Sequence, residues 1–253
     1  MYETRGMASV MMGQFRRKVY LEAMGIEQWI SRNRVSVPAA LPAAGAAVHA
    51  AMAATTEGNA VEVGAEVSAL AWPELESRVA CCTRCVLHET RTRTVFGAGN
   101  RTADWLIIGE APGADEDRQG EPFVGRAGQL LTAMLEAIGC RREEAYITNI
   151  LKCRPPGNRD PLPSEVACCH DYLERQIELV APGLILVVGR IAAHNLLQTD
   201  LPIGRLRGRV HHYGEAGIPL VVTYHPAYLL RSPLEKRKSW EDLQLAQKVH
   251  RGL

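Results

Sequence analysis

The chain has 253 residues, of which 47% are apolar and 23% are charged. This length and composition exclude a wholly disordered protein and allow one sizeable domain or two small ones. The 29 basic and 28 acidic residues give a net charge of +1, which excludes a protein that coats nucleic acid through bulk charge alone. No apolar run reaches the roughly 18 residues of a bilayer span, and the amino terminus lacks the pattern of an export signal. We therefore expect a cytosolic protein.

Two segments at the start of the chain differ in composition from the rest. Residues 1–34 carry six Lys or Arg against three Asp or Glu, and apolar residues recur at helical spacing from Tyr20 to Trp29. Residues 35–70 contain thirteen Ala and no Lys or Arg, which is typical of a linker that cannot repay its ordering entropy through burial. We expect an amphipathic peptide, a flexible linker and then a folded domain over residues 71–253.

Within that domain, short apolar runs predict strands and helical periodicity predicts helices between them. The predicted strands are Ala103–Ile108, Ala145–Ile150, Leu184–Val188 and Ile218–Thr223. The predicted helices are Ala127–Ile138, Ser164–Val180, Ile191–Leu197 and Ser239–His250. This alternation indicates an α/β fold, a three-layer α/β/α sandwich around a central, mostly parallel four-stranded sheet. Ligands of such sheets bind at the carboxyl ends of the strands, so we expect the site in the loops that follow them.

Seven cysteines in a cytosolic chain favour metal or cluster ligation over disulfide bonds. Cys82 and Cys85 form a C-x2-C pair before the first predicted strand, and the second pair joins Cys153 to either Cys168 or Cys169. Four thiolates suit a zinc ion or a 4Fe-4S cluster, and their spacing does not choose between the two. The alternative interpretation is that these cysteines are small buried hydrophobic residues.

Glycine-rich segments flank an acidic stretch after the first predicted strand. A single loop of this kind is weak evidence, because many are only tight turns. Residues 82–231 as a whole, however, closely resemble the family 4 uracil-DNA glycosylases, the iron–sulfur class. The matching motifs are Cys82-x2-Cys85, GEAPGADEDRQGEPFVGRAGQLL at 109–131, YITNILKCRPPGNRDPLP at 146–163 and HPAYLLR at 225–231.

The resemblance implies a monomeric, monofunctional enzyme that flips uracil out of DNA and hydrolyses its N-glycosidic bond, leaving an abasic site in base excision repair. It also implies a structural 4Fe-4S cluster. The third and fourth family ligands are sixteen positions apart, as Cys153 and Cys169 are, which gives Cys82, Cys85, Cys153 and Cys169 as the ligands. No lysine is among the pocket residues that the resemblance assigns, so strand cleavage through a Schiff base is not expected.

Release of uracil needs a stacking ring, a reader of the base edge and a donor for the departing anion. By resemblance, Phe123 stacks on the flipped base. The Asn149 amide donates to uracil O4 and accepts from N3–H, a pattern that cytosine presents in reverse. His225 donates to O2 as negative charge accumulates there.

The resemblance also assigns the loop after the first strand to the pocket. Glu110, Ala111 and Pro112 are expected to line it, and Glu116 is expected to assist by hydrogen bonds. Ala111 stands where related families carry an aspartate that orients water, so no carboxylate is assigned as general base. Glu110 and Glu116 complete the predicted catalytic set with Asn149 and His225, in which leaving-group stabilisation prevails.

Residues after the histidine are expected to engage the duplex. Leu229 and Leu230, beside Tyr228, are predicted to fill the vacated stack, while Arg231 lies near phosphate. Without the motif, the leucine pair would be interpreted as ordinary helix packing. Basic residues within 205–209 and 236–238 form either further phosphate contacts or a solvated face.

Residues 16–29 weakly resemble the N-terminal peptide of the clamp-loader psi subunit, which suggests helix-in-groove docking at the replication machinery and association with the nucleoid. The alternative is a helix that packs back on the folded domain. A rival for the whole chain is a noncatalytic glycosylase-like module that binds nucleic acid or serves as a replisome adaptor. The presence of Phe123, Asn149 and His225 counts against that rival.

Overall fold

The computed structural model describes residues 67–252, which fold around one six-stranded sheet of order β1-β3-β2-β4-β6-β5. The strands are β1 (Ala98–Gly99), β2 (Trp105–Gly109), β3 (Ala145–Asn149), β4 (Leu184–Val188), β5 (Val210–Tyr213) and β6 (Ile218–Thr223). Strands β3, β2, β4 and β6 run parallel, whereas β1 and β5 pair antiparallel at the two edges. The mostly parallel sheet is confirmed, and its expected count of four strands is corrected to six.

Eight α-helices lie between and around these strands in the described part of the chain. They are α1 (Trp72–Ala80), α2 (Ala114–Gln119), α3 (Arg126–Ala137), α4 (Pro163–Val180), α5 (Arg190–Leu197), α6 (Ile203–Leu206), α7 (Pro226–Arg231) and α8 (Lys236–His250). Helix α4 begins at a proline, which is favoured at the first helical position. None of these helices has the length and apolar character needed to cross a membrane.

The core lies on both faces of the sheet because successive strand side chains point in opposite directions. Ile107 and Leu186 pack on one face with residues of α3 and α8. Leu106 and Ile185 pack on the other face with residues of α4 and α5. Burial on both sides explains why the parallel strands are continuous apolar runs, and it produces the predicted three layers.

The folded domain starts earlier than the composition predicts. Val67 is fully buried with Leu75 of α1 and Tyr172 of α4. Arg175 Nε of α4 donates to the Leu70 carbonyl at 2.8 Å. Residues 67–70 therefore belong to the domain and not to the linker.

The expected helix from Tyr20 to Trp29 and the docking segment at 16–29 lie outside the described residues. Both stay predictions from sequence.

Replacement of Leu186 by alanine tests the central strand. Leu186 is fully buried in the middle of β4, so Leu186→Ala is expected to lower the free energy of unfolding by about 2–5 kcal/mol through lost burial and a residual cavity. Leu234 is 92% exposed, and Leu234→Ala should change stability by less than about 0.5 kcal/mol. Urea unfolding followed by circular dichroism measures both; similar losses in the two variants would contradict this core.

Candidate functional site

A cavity of about 390 Å³ opens at the carboxyl ends of the parallel strands. It brings together residues from three separate sequence motifs. The predicted site residues that line it are Glu110, Ala111, Pro112, Glu116, Phe123, Asn149, His225 and Arg231, and they are joined by Asp160 and Tyr228. The location of the site at the strand ends therefore agrees with the expectation from the sheet.

The sheet fixes where the two main polar groups stand. Asn149 ends β3 and His225 follows β6, so they lie on opposite sides of β2 and β4. A Cβ on Gly109, at the end of β2, would overlap Asn149 Oδ1 and lie 2.6 Å from Phe123 Cζ. A Cβ on Gly189, just after β4, would lie 3.1 Å from His225 Cβ. The middle strands thus end in glycine where the functional side chains approach the backbone.

Asn149 lines this cavity and holds an unsatisfied acceptor. Its side chain is buried, and Oδ1 has no hydrogen-bond partner among residues 67–252. An unpaired buried acceptor costs about 1–3 kcal/mol. The amide oxygen is therefore suited to accept from an N–H group of a bound molecule.

A buried lysine, which sequence analysis did not single out, fixes the main chain of Asn149. Lys152 Nζ donates to the Asn149 carbonyl at 2.7 Å, to Thr148 Oγ1 at 2.8 Å and to Gln176 Oε1 at 2.6 Å. These bonds use all three donors of an ammonium group. Burial lowers the pKa of Lys152 to about 7. Only the tertiary fold reveals this role, because the partner glutamine lies on α4.

Phe123 forms a buried aromatic wall of the cavity on a constrained turn. Its φ of 53° lies in the left-handed region, which is uncommon for a bulky residue. The Phe123 and His225 rings are 5.7 Å apart between centroids and inclined by 33°. Glu116 Oε1 accepts from the backbone N–H groups of Val124 and Gly125 at 2.9 and 3.0 Å. Glu116 therefore positions the aromatic turn.

His225 is the N-cap of α7, and this cap determines which ring nitrogen carries the proton. Nδ1 accepts from the backbone N–H of Ala227 at 3.1 Å, so Nδ1 is unprotonated. Burial, with a further contribution from Arg231, lowers the pKa of His225 to about 4. At neutral pH the imidazole is therefore neutral, with Nε2–H as its donor.

Glu110 carries a carboxyl group whose pKa lies near neutral pH. Burial and the neighbouring Asp160 raise the pKa of Glu110 to about 7, while Arg190 opposes the rise. Asp160 and Arg190 form an ion pair of 3.1 Å at the rim. The cavity can therefore hold Glu110 in either the neutral or the ionised state.

The expected wedge is corrected at one position. Leu229 is 1% exposed and packs in the core with α3 and α8 residues, so it cannot enter a base stack. The helical turn instead leaves Tyr228 and Leu230 each 36% exposed, and Arg231 faces the cavity. On α7, only the outer face therefore carries side chains that could serve as the predicted wedge.

Part of the predicted basic surface is internal structure. Arg207 Nε contacts Asp242 Oδ2 at 2.9 Å, and its guanidinium lies over the Tyr224 ring at 5.5 Å from the centroid. Lys238 pairs with Glu235 at 2.8 Å. Arg207 thus braces the segment before His225, and its charge is not free for phosphate.

A second, smaller cavity collects the cysteines. Cys82, Cys85, Cys153 and Cys169 all line it, and Cys168 does so as well. Among residues 67–252, no group of three or more His, Cys, Asp or Glu side chains converges closely enough to hold one metal ion.

Two contacts distinguish the cysteines around this cavity. Arg91 Nη1 donates to Cys153 Sγ at 3.1 Å, and this contact opposes the rise that burial causes in the pKa of the Cys153 thiol. Cys168 Sγ instead bonds the Arg84 carbonyl at 3.2 Å. Exposed Cys81 bonds the Arg78 carbonyl and is absent from the cavity lining.

Comparison with known proteins gives consistent matches. The family model described as the uracil DNA glycosylase superfamily matches residues 96–244. A type-4 uracil-DNA glycosylase of Archaeoglobus fulgidus is 47% identical over 174 residues, which is 66% of this chain and 87% of that protein. A type-4 enzyme of Thermotoga maritima is 42% identical over 68% of this chain and 91% of its own length. A type-5 uracil-DNA glycosylase of Pyrobaculum aerophilum is 30% identical over 52% of this chain and 64% of its own length.

The tautomer of His225 is open to direct measurement. Nitrogen-15 spectra of the imidazoles should show a neutral Nε2–H ring for His225 from pH 8 down to about pH 5, with protonation only near the lowered pKa of about 4. His225→Asn identifies the signals, and asparagine retains a capping oxygen. A ring protonated on Nδ1 at neutral pH would contradict the geometry.

The lowered pKa of His225 also predicts the direction in which the free energy of unfolding changes with pH. An unfolded histidine titrates near 6.5, so between pH 6.5 and 4 the unfolded chain binds the additional proton. The contribution of His225 to the free energy of unfolding is therefore complete above pH 6.5 and falls as the pH drops to 4. His225→Asn should remove that part of the acid dependence in urea titrations.

Proposed function

Since the chain belongs to the uracil-DNA glycosylase superfamily and is similar to type-4 members over about two thirds of its length, we propose that it hydrolyses the bond between uracil and deoxyribose in DNA. The observation that carries this proposal is the pairing of an unpartnered acceptor, Asn149 Oδ1, with a neutral donor, His225 Nε2–H, in one cavity. The product is an abasic site, and among residues 67–252 no lysine lines the cavity to form a Schiff base.

Base recognition follows from the donors and acceptors of the cavity. The extruded uracil stacks on Phe123, its N3–H donates to Asn149 Oδ1, and its O4 accepts from the same amide. Cytosine carries an acceptor at N3 and an amino group at position 4, so with the amide in the orientation of this structure it would leave both amide atoms unmatched. Satisfaction of the buried oxygen therefore favours uracil in particular.

Bond cleavage depends on the leaving group. When the C1′–N1 bond breaks, its electron pair remains on N1 and negative charge spreads to O2 of the base. His225 Nε2–H donates to O2, and a neutral donor does this without releasing its proton. Water adds to the cationic sugar at C1′ and loses one proton, which completes hydrolysis.

Glu110 contributes mainly through charge. Its ionised form lies in the cavity where positive charge develops on the sugar, so it stabilises that charge and can accept the proton of the attacking water. Because its pKa is raised to about 7, the rate should increase as the pH rises through neutrality. Glu116 acts one step away, through the backbone of the Phe123 turn.

DNA contacts come from the outer face of α7. Leu230 and Tyr228 are the exposed apolar side chains that can fill the space left by the base, while Arg231 can reach phosphate.

We also propose that Cys82, Cys85, Cys153 and Cys169 hold a 4Fe-4S cluster. The chemistry of the donor set supports this, because four thiols line one cavity and Arg91 donates to one of them. A group that contains several irons would not require the four sulfurs to converge on one point, as a single zinc ion would. Cys82 and Cys85 before β1, Cys153 after β3 and Cys169 on α4 would hold it, so a bound cluster would join these three segments.

Adjacent cysteines provide a matched test of the cluster. Cys169→Ala is expected to remove the brown colour, the absorbance near about 400 nm and most of the iron from protein purified without oxygen. Cys168→Ala should keep all three, because Cys168 bonds the Arg84 carbonyl instead. Equal iron loss in both variants, or one zinc per chain in the wild type, would contradict the assignment.

The reaction is tested with an oligonucleotide that contains one uracil, followed by alkaline cleavage at abasic sites. The wild type should release uracil, and His225→Ala should slow single-turnover release by about 100- to 1000-fold. Asn149→Ala should lose both rate and preference for uracil over cytosine. An inactive wild type that still binds DNA would favour a noncatalytic module, and unchanged rates in both variants would refute the assigned roles.

A further inference from the structure

The turn that carries Phe123 needs support from outside the cavity. Its left-handed backbone costs free energy, so surrounding contacts must hold it. Glu116 holds the N–H groups that follow the ring. A Cβ on Gly128, in the first turn of α3, would overlap the Phe123 carbonyl, so the helix limits the turn on that side. Neither contact holds the residues that precede Phe123, so another group must fix that part of the turn.

Arg142 supplies that contact from a remote element. Its Nη2 donates to the Pro122 carbonyl at 2.7 Å, and its Nη1 donates to Thr132 Oγ1 of α3 at 3.4 Å. Its guanidinium also lies 3.9 Å from the Glu121 carboxylate. Arg142 does not line the base cavity. Its contacts therefore reach the aromatic wall only through the backbone.

The position of Arg142 in the chain links its contact with the Phe123 turn to the strand that ends at Asn149. Arg142 begins the 3-10 turn Arg142–Glu144, which leads directly into β3, and β3 ends at Asn149. The guanidinium thus connects the strand that carries the edge-reading amide to the turn that carries the stacking ring. A change at Arg142 should alter the distance between ring and amide.

We propose that Arg142 is a positioning residue for uracil recognition and that it holds the Phe123 ring at the correct distance from the Asn149 amide. This inference rests on the proposed function and assigns a role to a residue outside the cavity. The guanidinium has the right form for the task, because it bonds the Pro122 carbonyl and Thr132 simultaneously from two nitrogens.

The primary test compares Arg142→Met with Arg141→Met. Both variants lose one positive charge, but Arg141 is exposed and pairs with Glu144, three residues along the same turn. Arg142→Met should reduce single-turnover uracil release by about 10- to 100-fold, as expected for a lost hydrogen bond from a charged donor. Arg141→Met should stay within about 2-fold of wild type.

A double-mutant cycle separates positioning of the ring from a general structural effect. If Arg142 acts through Phe123, then Arg142→Met should cause little further loss in a Phe123→Ala background. Multiplicative losses would overturn the proposal. Arg142→Lys, which keeps the charge but not the two-nitrogen fork, should fall between wild type and Arg142→Met. That variant carries the test if Arg142→Met unfolds below the assay temperature.

The salt dependence of DNA affinity tests whether Arg142 instead contacts a DNA phosphate directly. Loss of such a contact would reduce the dependence of DNA affinity on salt by about one charge, whereas a positioning role leaves that slope unchanged. A reduced slope for Arg142→Met alone would overturn the inference. If the wild type releases no uracil, the proposed function fails; if the wild type is active and Arg142→Met matches it, only this inference fails.

Discussion

Close approach between backbone and side chains at the ends of the middle strands is the constraint on which the site depends. Parallel pairing places Asn149 and His225 at the ends of the outer strands of a four-strand group, with β2 and β4 between them. The side chains of Asn149, Phe123 and His225 can hold their positions only if the intervening strand ends present no Cβ. Gly109 and Gly189 meet that requirement, and the Phe123 ring occupies the space above the first of them.

The polar groups around this space differ in how many of their hydrogen bonds are made within the protein. Groups whose bonds are all made support the site, whereas a group with an unmade bond is available to recognise a ligand. Lys152 uses three donors, and one oxygen of Glu116 accepts two N–H groups. Asn149 Oδ1 alone among these atoms is buried without a partner. The supporting network therefore holds rigid an atom whose bonding is completed only by a ligand, which is the physical basis of selectivity in such a cavity.

Sequence patterns predicted the interior of the fold better than its margins. Leu184–Val188 and Ile218–Thr223 were predicted with the observed bounds because both are apolar runs buried on two faces. The edge strands were missed: β1 has two residues, and β5 is half-exposed and polar. Motif resemblance identified Phe123, Asn149 and His225, but not Arg142 or Lys152. Their roles depend on carbonyl groups, which a sequence pattern does not show. Leu229 was misassigned because the motif does not show which side of α7 faces the core.

One imidazole both starts α7 and faces the base, so the helix and the ring share an anchor. The Ala227 N–H that holds Nδ1 belongs to the first turn of the helix whose outer face carries Leu230 and Arg231. A displacement of α7 would therefore also turn the imidazole and change the direction in which Nε2–H points. The position of the exposed face of the helix and the orientation of the buried donor are consequently coupled through a single side chain.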